Sequence, residues 1–407
     1  MESLPISLPP ADFLSTIPPS PPAGSPIDLS RLSSPESNAD VQVNGAANPP
    51  HDTTSADSQG NPAPSAENSE SATNSVTSKA EIQKQLSLNA AASRQSERLL
   101  YSVPDVTSNV DFDGLSGDMA MHLLDLHWNG LHFTYLLTYR PAIMDSLLNN
   151  GPYVNKLLLT AIYFQSSIYS NFGFHSDPND PQTTGMAFYS RFKQLLPDYI
   201  DEPTLPTIVA LLICGECLIP YGKQSAGWVY CGMAYRMITD MGYHLNIPPE
   251  KGAESGITAT DMEMRRRVYW GAYAVDKFQS VCLGRQPALS LLEGTLPSDF
   301  LDWHEESVEW KPYKDPKTPA LDSVTILGSP AHAVSIFQRS LRLATITERI
   351  IKSLYSIDKA SLTASESLHT RNMLKGHLVH WRAVTPAHLR YDTSDDTPTP
   401  PPHLLSL

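Results

Sequence analysis

The chain has 407 residues and a net charge of −14. The acidic excess is spread unevenly: residues 1–80 hold nine acids against two bases, a net of −7, and the other 327 residues also sum to −7. Neither part has the positive excess that neutralises phosphates, which argues against nucleic-acid binding by this chain alone. Four cysteines in a chain of this length, and a start (MESLPISLPPADF) with no basic or apolar leader pattern, argue against a secreted, disulfide-stapled protein.

Composition separates an N-terminal arm from the rest. Residues 1–100 hold 19 Ser but one aromatic, Phe13, and 13 of the 35 Pro fall before residue 65. Such a segment lacks the apolar surface needed to offset the entropy of ordering it. The composition therefore predicts a disordered acidic arm over residues 1–100 and a folded domain over 101–407. Within the arm, Ser20-Pro21, Ser25-Pro26 and Ser34-Pro35 have the form a proline-directed kinase accepts, and Asp12-Phe13-Leu14 and Ile27-Asp28-Leu29 mix acids with apolar residues as activation segments do. Both patterns are common in Ser/Pro-rich linkers, and a solvated linker is the plainer reading.

The domain reads as helix after helix. A helix over 119–140 ends ahead of Pro141, which opens the next through Leu148, with Gly151 expected as its left-handed stop. Apolar Tyr153 to Phe172 predicts a buried helix, and Asp180-Pro181 opens another to about Leu196. Helices over about 207–219 and 225–241 follow, the second closed by Gly242. Thr260-Asp-Met-Glu263 has capping-box spacing ahead of a helix to about Cys282. Residues 289–327, rich in Pro, predict loops; Ser329-Pro330 opens a helix to about Ile357, and a last one covers about 361–383. No segment reads as paired strands, so the fold class is all-α with a multi-helix core. No apolar run is long enough to span a membrane.

Candidate chemistry is sparse. Cys214-Gly-Glu-Cys217 has redox or zinc half-site spacing, but it sits in an apolar helical run without a second such pair, so buried helical thiols are expected. His122, His127 and His132 recur every five residues around Asp125. On an α-helix that step rotates about 140°, so the three imidazoles should point apart. His377 and His380 share a helical face but lie far along the chain from the cysteines. The minimal motifs of hydrolases, kinases and dehydrogenases are absent, so no enzymatic role is expected.

The most informative stretch runs from Glu263 to Pro287. Val268, Ala272, Val275, Phe278 and Cys282 mark a core face. Arg265, Arg266 and Arg267 step about 100° apart, so they cannot share one side, and at least one should reach into the domain for an acid or a helix C-terminus. Taken alone the triplet could also be a phosphate-binding or nuclear-import patch.

The order acid, Arg265-Arg266-Arg267, aromatic-Trp270, Tyr, Asp276-Lys277, Gly284-Arg285-x-Pro287 resembles the signature of the fungal-specific transcription factor domain, the middle homology region of fungal binuclear zinc-cluster regulators. Trp228 to His244 resembles that family's preceding helix, and His127 to Pro141 its opening helix, the latter with wording similar to regulators of nitrate assimilation. The resemblance covers about residues 118–407. It implies a nuclear regulator of RNA polymerase II transcription, commonly dimeric, whose partners are the transcription machinery or a corepressor. In the family, DNA contact belongs to six N-terminal cysteines that hold two zinc ions. The first cysteine here is Cys214, so no zinc ligand carries over and no cofactor is expected within these residues. DNA contact would then require other sequence or a partner, and the helical domain is expected to be incomplete at Leu407. The alternative is a helical scaffold or small-molecule sensor with no DNA-binding role.

Overall fold

The computed structural model describes residues 67–102, 109–292, 294–313, 328–356, 363–390 and 401–405. The chain divides into two units, Met1–Pro64 and Ser65–Leu407, and the described residues all belong to the second. The kinase-type Ser-Pro sites and the Phe13 and Ile27 segments fall outside them.

The first element departs from expectation. α1, Glu67–Ser102, is a 36-residue helix inside the stretch whose composition predicts disorder to residue 100. Its inward residues Leu86, Ala90, Ser93, Glu97 and Leu100 are buried, at alternating steps of four and three. That narrow stripe, with two polar members, is too weak to stand out in a Ser-rich sequence, and only a surface to lie on makes it helical.

α2 (Gly117–Leu126) continues into a π turn, His127–Leu131, and then α3, His132–Tyr135. The helix stops there, at Leu136 with φ 47°, four residues before the predicted end at Arg140. α4 is Arg140–Asn149; its left-handed stop is Asn150, φ 53°, rather than Gly151. Gly151 serves a different need, because a Cβ there would sit 2.6 Å from Ser146 Oγ. α5, Lys156–Ser167, is shorter than the apolar run suggests, since Asn155 caps it by accepting from the Leu158 N–H at 2.8 Å.

α6 (Met186–Leu195) and the single turn α7 (Pro197–Ile200) lead to α8, Leu205–Leu218, in which every residue except Glu216 is buried. α8 is the centre of the core. It packs between α5 and α9 (Gln224–Asp240) and against α11 (Ala259–Leu283), which follows the short α10, Pro249–Glu254. The capping box of α11 is Thr258 with Asp261, two residues earlier than expected. Glu263 is buried in the core instead.

After α12 (His304–Ser307), the strands β1 (Glu309–Trp310) and β2 (Ser329–Pro330) form an antiparallel pair that the sequence did not signal. α13, Ala333–Leu354, therefore starts three residues after Pro330, and α14, Ala364–Ala383, is capped by a Thr363–Glu366 box and packs on α13. The described residues are helical apart from loops and this one strand pair, which makes the fold all-α. Among them no helix is long and apolar enough to cross a membrane.

Candidate functional site

The arginine triplet is explained residue by residue. Arg265 Nη2 donates to the Met241 carbonyl at 3.1 Å, satisfying the C-terminal end of α9, and its guanidinium lies over the Tyr243 ring. Arg266 Nη1 donates to the Asp299 carbonyl at 2.8 Å. Arg267 turns fully inward: Nε donates to Glu263 Oε1 at 2.7 Å and Nη1 to Glu305 Oε2 at 2.6 Å, with the guanidinium over the rings of Tyr139 and Phe300. The three cations serve a helix end, a loop carbonyl and two buried acids. None of them forms an outward basic patch for phosphate.

The rest of the signature fastens residues 284–302 onto α11. Trp270 Nε1 donates to the Pro297 carbonyl at 2.9 Å. Asp276 accepts the N–H groups of Ala288 and Leu289, each at 2.9 Å, and pairs with Lys277 Nζ at 2.6 Å; Lys277 also donates to the Leu289 carbonyl. Burial pushes the Lys277 ammonium down, against Asp276, which favours its charge. Gly284, φ 64°, ends α11 in the left-handed conformation a Cβ disfavours, and the Arg285 N–H closes the turn on Ser280 O at 3.0 Å. Arg285 lies over Trp228 at 5.2 Å. Pro287 stands in the turn between that cap and the Asp276 clamp.

Around Arg267 grows a buried polar cluster in which Glu305 and Thr138 carried no local signal. Glu305 comes from a segment that reads as loop, and its Oε1 accepts from His132 Nε2 at 2.8 Å. Thr138 Oγ1 lies 2.7 Å from His132 Nδ1 and 3.0 Å from His127 Nε2. One chain of donors and acceptors fits all of these distances: His127 donates to Thr138, Thr138 to His132, and His132 to Glu305. Burial pushes His127 down to about 3. Burial alone would raise Glu305, but Arg267 and His132 overcome it and hold the carboxyl well below the usual range. Glu263, which also accepts the Leu301 N–H at 2.7 Å, is pushed up by burial, with Arg267 opposing.

The expectation that the three imidazoles point apart fails for two of them. The wider π turn between His127 and His132 changes the rotation, and their ring centroids lie 6.0 Å apart. His122 does diverge, to Tyr313 and Ser170. Among the described residues no group of three or more His, Cys, Asp or Glu could hold a metal ion. Cys214, Cys217 and Cys231 are buried, and desolvation raises each thiol pKa, the opposite of what a redox thiol needs.

The cluster opens on one side into a cleft of 460 Å³ beneath α1. Trp128, Phe133 and Pro141 form its apolar wall, Arg94 and Glu97 project from α1, and Arg140, His132 and Glu305 supply polar groups. Glu97 holds Arg140 through a single oxygen, which accepts from Nη2 at 2.5 Å and Nε at 3.0 Å.

Residues 124–383, more than half of the chain, match the model of the fungal specific transcription factor domain. The chain belongs to that family. An uncharacterized transcriptional regulatory protein of Schizosaccharomyces pombe is 26% identical over 70% of this chain and 45% of its own length. The nitrogen assimilation transcription factors nirA of Emericella nidulans (24% identical, 70% of this chain, 33% of the relative) and nit-4 of Neurospora crassa (24%, 66% and 25%) are similar over the same domain. The chain thus spans a quarter to somewhat under half of these relatives. No solved structure matches it. The match covers the clamp, the buried cluster and most of the cleft, and these relatives are regulators of transcription by name.

Proposed function

We propose that this chain is the regulatory domain of a fungal zinc-cluster-type transcription factor, acting in the nucleus on RNA polymerase II transcription. The observation that carries the reading is the family match across 124–383, which contains the residues that build the clamp on α11. In this role the helical core holds or releases an activation surface, and its partners are the transcription machinery or a corepressor, with a second copy of the chain as the family would suggest. With a net charge of −14 and every Arg of the triplet engaged inside the domain, DNA targeting comes from sequence outside these 407 residues or from a partner.

The test is a fusion of residues 1–407 to a heterologous DNA-binding domain in a yeast reporter strain. Reporter output that differs several-fold from the DNA-binding domain alone supports the proposal; identical output overturns it. Tight, salt-sensitive binding of the purified chain to duplex DNA would overturn the assignment of DNA contact elsewhere. A second reading, a small-molecule sensor, is favoured by the cleft beneath α1, whose volume suits a metabolite-sized ligand.

A further inference from the structure

We propose that the cleft beneath α1 binds a small amphipathic carboxylate whose carboxyl group replaces Glu97 on Arg140, so that ligand binding and the docking of α1 compete. The inference deepens the sensor reading and rests on it.

The first support is the way Arg140 is held. A guanidinium offers a fork of parallel N–H groups that fits two carboxylate oxygens at once. Here Nε and Nη2 converge on the same oxygen of Glu97, so the second oxygen adds nothing to the pair. The Arg140 side chain is still 40% exposed and lies 5.6 Å from the centroid of the Trp128 ring, leaving it reachable from the cleft. A free carboxylate, unconstrained by a helix backbone, can take the bidentate geometry that Glu97 does not.

The second support is independent. Trp128 is 3% exposed and its indole N–H has no hydrogen-bond partner. An unmet buried donor of this kind is unfavourable, and a cleft wall is where a ligand acceptor would remove that cost. Trp128 stands in the π turn, a local distortion that occurs frequently at functional sites. A ligand with its carboxylate on Arg140 and a second acceptor oxygen near Trp128, its apolar body against Phe133 and Pro141, would use every element of the wall.

Charge decides the ligand class. Glu305 faces the cleft but is neutralised by Arg267 from behind. Once Glu97 leaves, Arg94 and Arg140 remain without a matching acid in the cleft, so an anion fits better than a neutral or cationic ligand. Glu97 and a ligand carboxylate cannot share Arg140 without like-charge repulsion in a half-buried site.

The helix can yield. Besides Leu86, Ala90, Leu100 and the half-buried Ile82, α1 is held by polar links: Ser93 to the Pro141 carbonyl at 2.8 Å, Glu97 to Arg140, Arg94 to His304, Tyr101 to Asp125, Asn89 to Thr260 at 3.3 Å and Lys79 to Asp299 at 3.9 Å. Loss of one charged link from so narrow a stripe shifts the balance between docked and undocked helix.

The experiment titrates the 407-residue chain and its Glu97→Gln variant with phenylacetate, hexanoate and the neutral phenylacetamide by calorimetry, and follows amide hydrogen exchange of residues 86–100. At least one carboxylate is expected to bind Glu97→Gln about tenfold more tightly than wild type, phenylacetamide to bind neither, and exchange in 86–100 to rise on binding. Trp128→Phe, which keeps the ring and removes the N–H, should weaken binding of the same carboxylate several-fold. Equal affinity for wild type and Glu97→Gln, equal binding of the amide, unchanged exchange, or no binding of either carboxylate to Glu97→Gln at about 10 mM would each overturn the proposal. The reporter fusion is read without added ligand, so its result stands whichever way these titrations fall.

Discussion

Arg267 and Glu305 meet at 2.6 Å with the guanidinium wholly buried, joining the long helix α11 to the single turn of α12. The pair is the point where the signature helix, the π turn through His132, and the wall of the cleft become one cluster.

Removing one partner of a buried ion pair leaves the other charge desolvated and alone, which typically costs about 3–5 kcal/mol. Glu305→Ala should therefore lower the urea midpoint strongly with little change in slope, as a stability change without a change in exposed surface requires. Arg267→Lys should also destabilise, because an ammonium cannot reach Glu263 and Glu305 in the fork geometry that Arg267 uses. A Glu305→Ala midpoint within error of wild type would contradict the cluster.

Glu216 gives the chain a pH dependence of definite sign. Burial pushes its carboxyl up from 4.5 to about 7, with Tyr135 and Gln279 donating to it and pulling the other way. The folded state then holds a proton that the unfolded state releases, so this group's contribution is present below about 4.5 and disappears as pH rises through about 7. Relative to Glu216→Gln, wild type should lose about 1.4 kcal/mol of stability per pH unit across that window and then level off. Parallel denaturation curves for the two proteins from pH 5 to pH 8 check this; a constant difference would refute it.

Two glycines let α8 and α9 touch. A Cβ on Gly227 would lie 2.5 Å from the Gly215 carbonyl oxygen, and one on Gly215 would lie 2.5 Å from Cys231 Sγ. Gly227→Ala must separate the helices and should cost about 1–3 kcal/mol. Gly232, on the same helix, has nothing within 4 Å of a built Cβ, so Gly232→Ala should stabilise by about 0.5–1 kcal/mol. Thermal melts of the two variants should move in opposite directions.

Thiol accessibility separates the cysteines. Cys214, Cys217 and Cys231 are buried and Cys282 is exposed. Native protein should take up one equivalent of an alkylating reagent and denatured protein four. Fast native labelling at Cys214 or Cys217 would reopen a redox role for that pair.

The sequence by itself determined the long helices from α2 onward, though not their ends, and the family. Apolar repeats, Pro at helix starts and Gly at helix ends are local signals, and a helix is a local hydrogen-bonding structure, so residues near one another in the chain suffice to mark it. The triplet Arg265–Arg267 was legible to the same extent: helical geometry alone requires its members to diverge, and one of them does reach a helix end and another an acid. What only the tertiary structure decided is which distant groups complete each contact. Glu305 lies 38 residues from Arg267 and 173 from His132, in a stretch whose local pattern says only loop. The capping box fell at Thr258–Asp261 rather than Thr260–Glu263 because Arg267 and the Leu301 N–H claim Glu263 for the core. His127 and His132 converge through a π turn, an insertion-like defect that a fixed 3.6-residue repeat cannot express. α1 is the largest case, since its narrow stripe of Leu86, Ala90, Ser93, Glu97 and Leu100 has too little apolar surface to fold alone and becomes a helix only against the wall that Arg140 and Pro141 provide.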